Sequence, residues 1–382
     1  GLSYNFKGTL FGKNAAATLG ATYSYELEDP RTYFNFSDGT GRTHVSIGRY
    51  NETLSIINPA ILGEISVDPV DEFSVRLGAR YDWISGKYQN LGTNVPIGAN
   101  VPGPVLESPM YGFFSPKAGL LYRPTPGVDI YADYGRGFTL PAMNGDEGSG
   151  FYADNDFNLK VRDQIELGAR ANITDWLDGE IAIFKIFTKN DNQYDELTER
   201  NIPTGTTERH GLELGATIRP HDDWSVDTNY SWTIGKYKKY ETSTNVLDGY
   251  RMTSFPEHMV NLDLNYHPAN LPFGGRVSYH GEFKRLQTNN PPFQKDGVTP
   301  NATLRRYGQD YQLLDLMLYC KINENYRLVF NVNNVFNKRY YSGLTYPILS
   351  PTYDYPEGDY IYQLRPPRTF YLTFEMNWDK KN

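Results

Sequence analysis

Apolar and polar residues alternate along the segment that spans residues 368–378. Side chains of a β-strand alternate between its two faces, so residues two apart share a face. The residues that share the apolar face here are Phe370, Leu372, Phe374, Met376 and Trp378. The residues between them are polar or amphipathic. One face therefore suits lipid and the other suits water, a pattern typical of a transmembrane β-strand.

The same alternation recurs along the chain. Clear examples span residues 73–83, 212–219, 226–234 and 314–321. Strands of soluble β-proteins usually have about five or six residues, whereas these segments have about ten to twelve, enough to cross a bilayer at a tilt. The pattern predicts an all-β fold, a transmembrane antiparallel β-barrel. A soluble all-β binding module is the alternative, and it would need no detergent.

About fifteen strands are predicted, and short and long connections alternate between them. The predicted strands are 2–11, 15–27, 56–68, 72–85, 111–123, 128–138, 161–172, 176–189, 206–219, 224–236, 257–268, 275–287, 310–322, 325–336 and 367–378. The predicted long loops are 28–55, 86–110, 139–160, 190–205, 237–256, 288–309 and 337–366. Barrels of the bacterial outer membrane have short periplasmic turns and long extracellular loops. Trp176, Trp224 and Tyr326 directly follow short turns, which predicts a periplasmic aromatic girdle.

Composition excludes several classes of protein. The 382 residues are 39% hydrophobic with a mean hydropathy of -0.57, and no apolar run approaches the roughly 18 residues of a membrane helix. A net charge of -8 argues against a nucleic-acid binder. The single cysteine, Cys320, lies on an apolar strand face, and the six His residues have no metal-ligand spacing. We find no catalytic constellation, and we predict no enzyme, no metal site and no cofactor.

Three motifs resemble those of TonB-dependent outer-membrane receptors of the siderophore-receptor type. The first is a hairpin, Ser115–Pro124 followed by Asp129–Phe138, which resembles a mid-barrel hairpin of these receptors. The second, Thr207–Leu214, is similar to the family's strand around a Gly-x-Glu core. The third, Asn331–Tyr341, is similar to the family's motif near the end of the penultimate strand, and the final strand follows it.

The resemblance implies a barrel of about 22 strands around an N-terminal plug. Residues 1–378 would then be the C-terminal portion of the barrel, with about seven strands and the plug domain absent from the sequence, and residues 379–382 a short polar tail. Single-chain barrels of bacteria have an even number of strands, and fifteen strands of a larger barrel would leave unpaired edges that are costly in lipid. We therefore expect a partial chain, mature or truncated because it has no initiator Met or signal segment, or a second chain that supplies the rest.

The resemblance also implies a function, active transport through the outer membrane of a Gram-negative bacterium by a multi-pass receptor. The expected cargo is a ferric siderophore or a similar large metal chelate, which is transported and is not a cofactor. The expected partners are outer-membrane lipid and the TonB energy-coupling complex, the latter through the missing N-terminal part. A passive porin and a structural barrel subunit of a larger assembly are the alternatives. Cobalamin, haem and saccharides remain open as cargo.

Two groups of candidate residues follow. Loop arginines can bind carboxylate or catecholate oxygens, and loop tyrosines can grip a large polar ligand. The candidate ligand-binding residues are Arg31, Arg42, Arg49, Arg251, Arg305, Arg306, Tyr346, Tyr353 and Tyr355. The charged residues on the polar strand faces are predicted to contact the plug or to line its hydrated wall. They are Arg76, Arg80, Glu166, Arg170, Glu213, Asp263 and Glu282.

Overall fold

The fold is built from β-strands alone in the part of the chain that the computed structural model describes. The described residues are 1–28, 31–37, 43–90, 105–107, 110–139, 159–195, 200–241, 244–253, 255–301, 305–345 and 361–377. Within these ranges, no helix is long and apolar enough to span a membrane. The predicted all-β class is confirmed.

Twenty-one strands follow one another along the chain. They are β1 (Leu2–Leu10), β2 (Lys13–Glu28), β3 (Arg31–Ser37), β4 (Thr43–Val70), β5 (Phe73–Asn90), β6 (Val105–Glu107), β7 (Tyr111–Thr125), β8 (Val128–Thr139), β9 (Lys160–Thr174), β10 (Leu177–Asp195), β11 (Arg200–His221), β12 (Trp224–Lys239), β13 (His258–Tyr266), β14 (Phe273–Phe283), β15 (Leu286–Asn289), β16 (Arg305–Tyr307), β17 (Tyr311–Lys321), β18 (Tyr326–Asn333), β19 (Tyr341–Thr345), β20 (Ile361–Leu364) and β21 (Thr369–Met376).

One antiparallel sheet contains most of these strands. Fifteen of them pair in succession as β1, β2, β4, β5, β7, β8, β9, β10, β11, β12, β13, β14, β17, β18 and β21. Strand β3 adds to β4, and β6 adds to β5. Among the described residues β1 pairs only with β2, and β21 only with β18, so the sheet is open along these two strands. The fifteen predicted strands are confirmed in number and order, but several of their ends differ from the prediction.

The register aligns residues of like character into rows across the sheet. Ile181 pairs with Ala169 on one side and with Leu214 on the other, while Glu180 next to it pairs with Arg170. The rows of large apolar residues are exposed, Ile183 at 52%. We call their side of the sheet the apolar face and the other side the polar face. A sheet with an exposed apolar face suits contact with lipid.

The sheet also has two different ends. Short turns join the strands at one, which we call the turn end, and the long connections leave from the other, the loop end. Trp176 and Trp224 are exposed at the turn end, where the Trp224 ring lies 4.5 Å from the ring of Tyr266. The Tyr326 ring stacks 5.6 Å from that of Phe374. These aromatic residues lie where the sequence predicts a girdle.

Parts of the predicted loops are strands, which corrects the sequence prediction. Strand β4 begins at Thr43 and β5 extends to Asn90, inside the predicted loops 28–55 and 86–110. The hairpin of β10 and β11 extends to Asp195 and resumes at Arg200, inside the predicted loop 190–205. Backbone ladders need no apolar side chains, so pairing continues beyond the end of the hydrophobic alternation. The short hairpin β19–β20 also lies in a predicted loop, and so do β16 and the second half of β15.

Two strands end earlier than predicted, for a backbone reason. Strand β14 ends at Phe283, because Lys284 has a φ of 54°. Strand β18 ends at Asn333, because Asn334 has a φ of 53°. A positive φ takes the chain out of the extended conformation, and Asn tolerates it better than most residues. The predicted spans 275–287 and 325–336 are therefore too long at their C-terminal ends.

Candidate functional site

Ion pairs cover the polar face towards the turn end. They join Glu64 to Arg76 and Lys117, Arg123 to Asp129, Arg170 to Glu180, Arg219 to Asp178, and Arg327 to Glu375. The Nε of Arg170 lies 3.6 Å from Oε2 of Glu180, and the two side chains are 63% and 60% exposed. This part of the polar face is a hydrated, charged wall. An open groove of about 600 Å³ runs along it beside Asp129, Arg170 and Glu180.

All seven charged residues predicted for the hydrated wall lie on the polar face by register, namely Arg76, Arg80, Glu166, Arg170, Glu213, Asp263 and Glu282. Glu166 accepts a hydrogen bond of 3.0 Å from the hydroxyl of Tyr131. Asp263 lies directly opposite Asp227 on the neighbouring strand. The structure brings Arg76, Glu166 and Arg170 together along one groove of the polar face, whereas Arg80 lies four residues beyond Arg76 on β5. Glu213, Asp263 and Glu282 lie on three separate strands.

Arg80 belongs to a compact polar group. Its guanidinium donates to both carboxylate oxygens of Asp82 at 2.8–3.0 Å and to the hydroxyl of Thr22 at 3.2 Å. Asn58 donates to Asp82 at 3.2 Å. The Asp82 side chain is 1% exposed. Burial of a carboxylate is costly unless it is paired and hydrogen-bonded, and Asp82 is both.

An enclosed carboxylate at the loop end is Asp191, and we call Asp191, Lys160, Thr207 and Arg209 the first mouth cluster. A carboxylate oxygen of Asp191 accepts from the Thr207 hydroxyl at 2.7 Å and from Arg209 at 3.3 Å, and the other pairs with Lys160. The Asp191 side chain is 6% exposed. A β-bulge between Lys189 and Asp191 aims the carboxylate at this cluster.

Asp191 lies eight residues beyond Ile183, outside the apolar band of β10. Burial opposes its ionisation, but the hydrogen bonds from Lys160 and Thr207 and the charge of Arg209 outweigh burial and lower the pKa of Asp191. The carboxylate is therefore ionised and holds strands β9, β10 and β11 together at the loop end.

A short segment covers the first mouth cluster. We call the described residues 240–241 and 244–252 the strap. Its backbone bonds to β12, with Tyr250 accepting from the amide of Tyr237 at 2.9 Å and Met252 donating to Gly235 at 2.9 Å. Tyr237 and Tyr240 pack with ring centroids 4.4 Å apart, and Leu247 completes a buried apolar group. Burial raises the pKa of Tyr240, so its hydroxyl stays protonated. The strap is packed down by apolar contacts next to an enclosed ion pair.

A second mouth cluster surrounds Glu282. Its carboxylate pairs with Arg285, accepts from the hydroxyl of Tyr311 and lies 3.3 Å from Nε2 of His280. His280 Nδ1 lies 2.5 Å from the side-chain oxygen of Asn261. The Glu282 side chain is 13% exposed. Among the predicted wall residues, Glu282 thus stands apart because it is enclosed by partners at the loop end.

The structure gives partners to two predicted ligand-binding arginines. Arg251 donates to Glu257 at 2.9 Å. Arg305 donates to the Tyr307 hydroxyl, and its guanidinium lies over that ring, 5.1 Å from the centroid. The backbones of Arg31, Arg49 and Arg306 lie in β3, β4 and β16, but their side chains lie outside the described part. Arg42, Tyr346, Tyr353 and Tyr355 also lie outside the described residues.

Sequence reasoning missed Asp191, Lys160 and Arg209. All three lie in or next to a segment that the sequence assigns to a loop or to the end of a strand. The bulge at Asp191 breaks the period of two, so the alternation that identifies Arg209 as polar-facing does not extend to its partner. Within the described ranges, no three His, Cys, Asp or Glu side chains are placed to hold a metal ion.

Comparison with protein families explains this architecture. Residues 1–335 match the family model described as TonB dependent receptor-like, beta-barrel. The chain belongs to the TonB-dependent receptor β-barrel family. The polar face is therefore the lumenal face of a barrel wall, and the apolar face is its outer surface.

Two curated relatives agree with this assignment. The chain is 25% identical over 360 residues to a probable TonB-dependent receptor, BfrD, of Bordetella pertussis, which covers 92% of this chain and 44% of the relative. It is 22% identical over 311 residues to a probable TonB-dependent siderophore receptor, PiuA, of Acinetobacter baumannii, covering 77% of this chain and 38% of the relative. The chain thus spans less than half the length of these relatives.

Solved structures share the fold. The crystal structure of PiuA superposes with a TM-score of 0.73 at 16% identity and covers 98% of this chain and 55% of PiuA. The ferripyoverdine receptor of Pseudomonas aeruginosa, solved with ferripyoverdine bound, superposes with a TM-score of 0.71 at 17% identity, over 98% of this chain and 47% of that receptor.

Proposed function

We propose that this chain is the barrel portion of an outer-membrane receptor that imports a ferric siderophore, or a similar large metal chelate, into a Gram-negative cell. The supporting observation is the match of residues 1–335 to the receptor barrel family. The relatives include a probable siderophore receptor and a receptor solved with its ferric siderophore. Transport by this family requires no catalytic group in the barrel, and we propose none.

The two parts of the lumenal face have different proposed roles. The exposed ion pairs at the turn end face a plug domain, which we propose is supplied by sequence outside this chain and transmits force from the TonB complex. Glu213 and Asp263 offer carboxylates to this contact. The loop end faces the cell exterior and receives the ligand. The long connections there carry the candidate arginines and tyrosines, including Arg305.

Uptake of iron by cells tests this function. The full-length receptor is expressed in a strain without its other iron receptors, and uptake of ⁵⁵Fe is measured with a panel of hydroxamate, catecholate and carboxylate siderophores. We expect energy-dependent uptake of one class, which is lost when TonB is deleted. The double variant Arg305→Ala/Arg306→Ala should raise the half-saturating concentration at unchanged receptor abundance.

Three outcomes contradict the proposal. Uptake that persists without TonB, together with ion conductance in planar bilayers, would indicate a passive porin. Absence of uptake with stable co-purification of unrelated membrane subunits would indicate a structural role. Recovery of the full-length protein in the soluble fraction without detergent would exclude the membrane assignment itself.

A further inference from the structure

The third receptor-like motif, Asn331–Tyr341, contains the point at which β18 leaves the barrel wall. Two asparagines of this motif, Asn334 and Asn337, have φ values of 53° and 51°. The left-handed conformation is strained for most residues, and Asn tolerates it because its short polar side chain can bond locally. The chain therefore turns sharply at these two asparagines. We call residues 334–338 the anchor.

The side chain of Asn334 closes the anchor. Asn334 is buried, with 4% of its surface exposed. Its side-chain nitrogen donates to the carbonyl of Lys338 at 2.8 Å, and its side-chain oxygen accepts from the backbone amide of the same residue at 2.8 Å. One side chain thus satisfies both backbone groups of Lys338, as a neighbouring strand would.

Strand β17 fixes the anchor to the wall. The backbone amide of Asn334 donates to a carboxylate oxygen of Asp315 at 2.6 Å, and that of Val335 donates to the carbonyl of Leu314 at 2.8 Å. Asp315 lies on the polar face by register, opposite Ser278. A hydrogen bond to a carboxylate is stronger than one between neutral groups. The anchor is therefore held from the lumenal side.

The arm that returns from the last predicted loop binds to the same anchor. The backbone amide of Arg368 donates to the side-chain oxygen of Asn337 at 3.0 Å, and its guanidinium donates to the carbonyl of Val335 at 3.1 Å. Further out, the amide of Arg365 donates to the carbonyl of Tyr340 at 3.0 Å. The pairing of β19 with β20 follows. The two arms of this loop are thus joined at their base.

Tyr340 places this base against the lumenal face. Its ring centroid lies 4.7 Å from that of Tyr311. Tyr311 is 6% exposed and donates to Glu282 of the second mouth cluster. The last predicted loop therefore starts beside the second mouth cluster, on the side of the wall that faces the lumen.

The pairing of the wall does not depend on the anchor. The ladder of β18 with β21 ends at the pair Asn333 and Thr369, and its ladder with β17 ends one residue earlier on β18. Within the described ranges, the side chain of Asn334 forms hydrogen bonds only with Lys338. Its contribution is therefore confined to the base of the loop.

We propose that Asn334 is a positioning residue for ligand binding, because its side chain fixes the base of the last loop against the lumenal face. A loop whose base is already ordered loses less conformational freedom when it binds, so it binds more tightly. This loop contains the candidate residues Tyr346, Tyr353 and Tyr355. The effect on ligand binding rests on the function proposed above, whereas the position of the loop base does not.

Hydrogen exchange in the full-length receptor tests the position of the loop base. The variant Asn334→Gly keeps the tolerance for a positive φ and removes both side-chain bonds. We expect the amides of Lys338 and Arg368 to exchange roughly tenfold faster or more, and that of Val329 inside β18 to be unchanged. The control is Phe11→Gly, at a residue with a φ of 51° and a side chain that is 96% exposed, and it should change neither.

Uptake by cells that express the same variants tests the effect on the ligand. The probes are ferric desferrioxamine B, ferric dihydroxybenzoate and ferric citrate, one for each siderophore class. For the probe that the wild type imports, Asn334→Gly should raise the half-saturating concentration roughly fivefold and leave the maximal rate per receptor unchanged. Asn334→Asp keeps the acceptor for the Lys338 amide and should have a smaller effect. A general loss of stability would instead lower the abundance of the receptor or its maximal rate.

Three results would overturn the proposal. They are unchanged exchange at Lys338 in Asn334→Gly, an equal acceleration at Val329, and an unchanged half-saturating concentration despite faster exchange at the loop base. Absence of TonB-dependent uptake of all three probes by the wild type would contradict the proposed function. The exchange experiment alone would then decide whether Asn334 fixes the loop base.

Discussion

The ion pairs at the two ends of the lumenal face differ in their solvent exposure. At the turn end, Arg170 and Glu180 are 63% and 60% exposed and 3.6 Å apart. At the loop end, Arg209 and Asp191 are 25% and 6% exposed and 3.3 Å apart. Exposed pairs contribute little to stability, whereas removing one partner of an enclosed pair leaves an uncompensated charge. The turn-end pairs are therefore free to exchange partners with the plug domain that we propose, and the loop-end pairs stabilise the arrangement of β9, β10 and β11.

The largest effect is expected from Asp191→Asn. The substitution leaves Lys160 and Arg209 enclosed without their carboxylate, which should cost about 2–3 kcal/mol of local stability, less than a fully buried pair because both cations keep some water contact. Hydrogen exchange of the strap amides in the full-length receptor measures this cost. Unchanged protection of Tyr250 and Met252 would contradict the stabilising role of the cluster.

The next effect tests the packing of the strap through Gly205→Ala. A Cβ at Gly205 would overlap the ring of Tyr240, so the ring must move, at about 1–3 kcal/mol. Gly137→Ala is the matched control, because a Cβ there meets nothing within 4 Å. Proteolysis of the native receptor within the strap should accelerate for the first variant only. Equal rates for both would mean that the strap does not depend on Tyr240.

Acid should destabilise the loop end more than the exposed wall. The pKa of Asp191 is lowered in the folded protein, so its stabilisation is complete above the ordinary pKa of about 3.8 and is lost as the pH falls below that value. Hydrogen exchange of the strap between pH 6 and pH 3 should show this loss. The Asp191→Asn variant should show less of it, and an equal loss in the variant would assign the titration to another group.

The smallest effect is expected from Glu180→Gln. Its pair with Arg170 is exposed, so the free energy of unfolding should fall by less than about 1 kcal/mol. Chemical denaturation of the receptor in lipid vesicles measures this difference. A cost as large as that of Asp191→Asn would remove the distinction between the two ends of the lumenal face.

The alternation of residues was sufficient to predict the strands and their faces. In segments such as 212–219 the period of two places Leu214 outside and Glu213 inside, and the register agrees. The same logic placed Cys320, which is exposed on the apolar face. Lipid on one side and water on the other impose this period, so it is readable without knowledge of long-range contacts.

The side-chain clusters at the loop end could not be predicted in the same way. Beyond the apolar band both faces of a strand meet water, so the alternation disappears while the backbone ladder continues, as it does from Lys189 to Asp195. The enclosure of Asp191 depends on a bulge and on a strap 50 residues further along the chain. Contacts of this kind depend on how distant segments pack, and they cannot be predicted from the hydrophobic periodicity of a single strand.

The most direct test of a barrel wall with one lipid-facing and one lumen-facing side is a cysteine scan of β10 in lipid. Single cysteines at Ile181, Ala182, Ile183 and Phe184 are introduced into the full-length receptor with Cys320→Ser, labelled with a fluorophore and reconstituted with brominated lipid. We expect strong quenching at Ile181 and Ile183 and weak quenching at Ala182 and Phe184. Uniform quenching, or none at any of the four positions, would contradict the assignment of the apolar face to lipid and the polar face to the lumen.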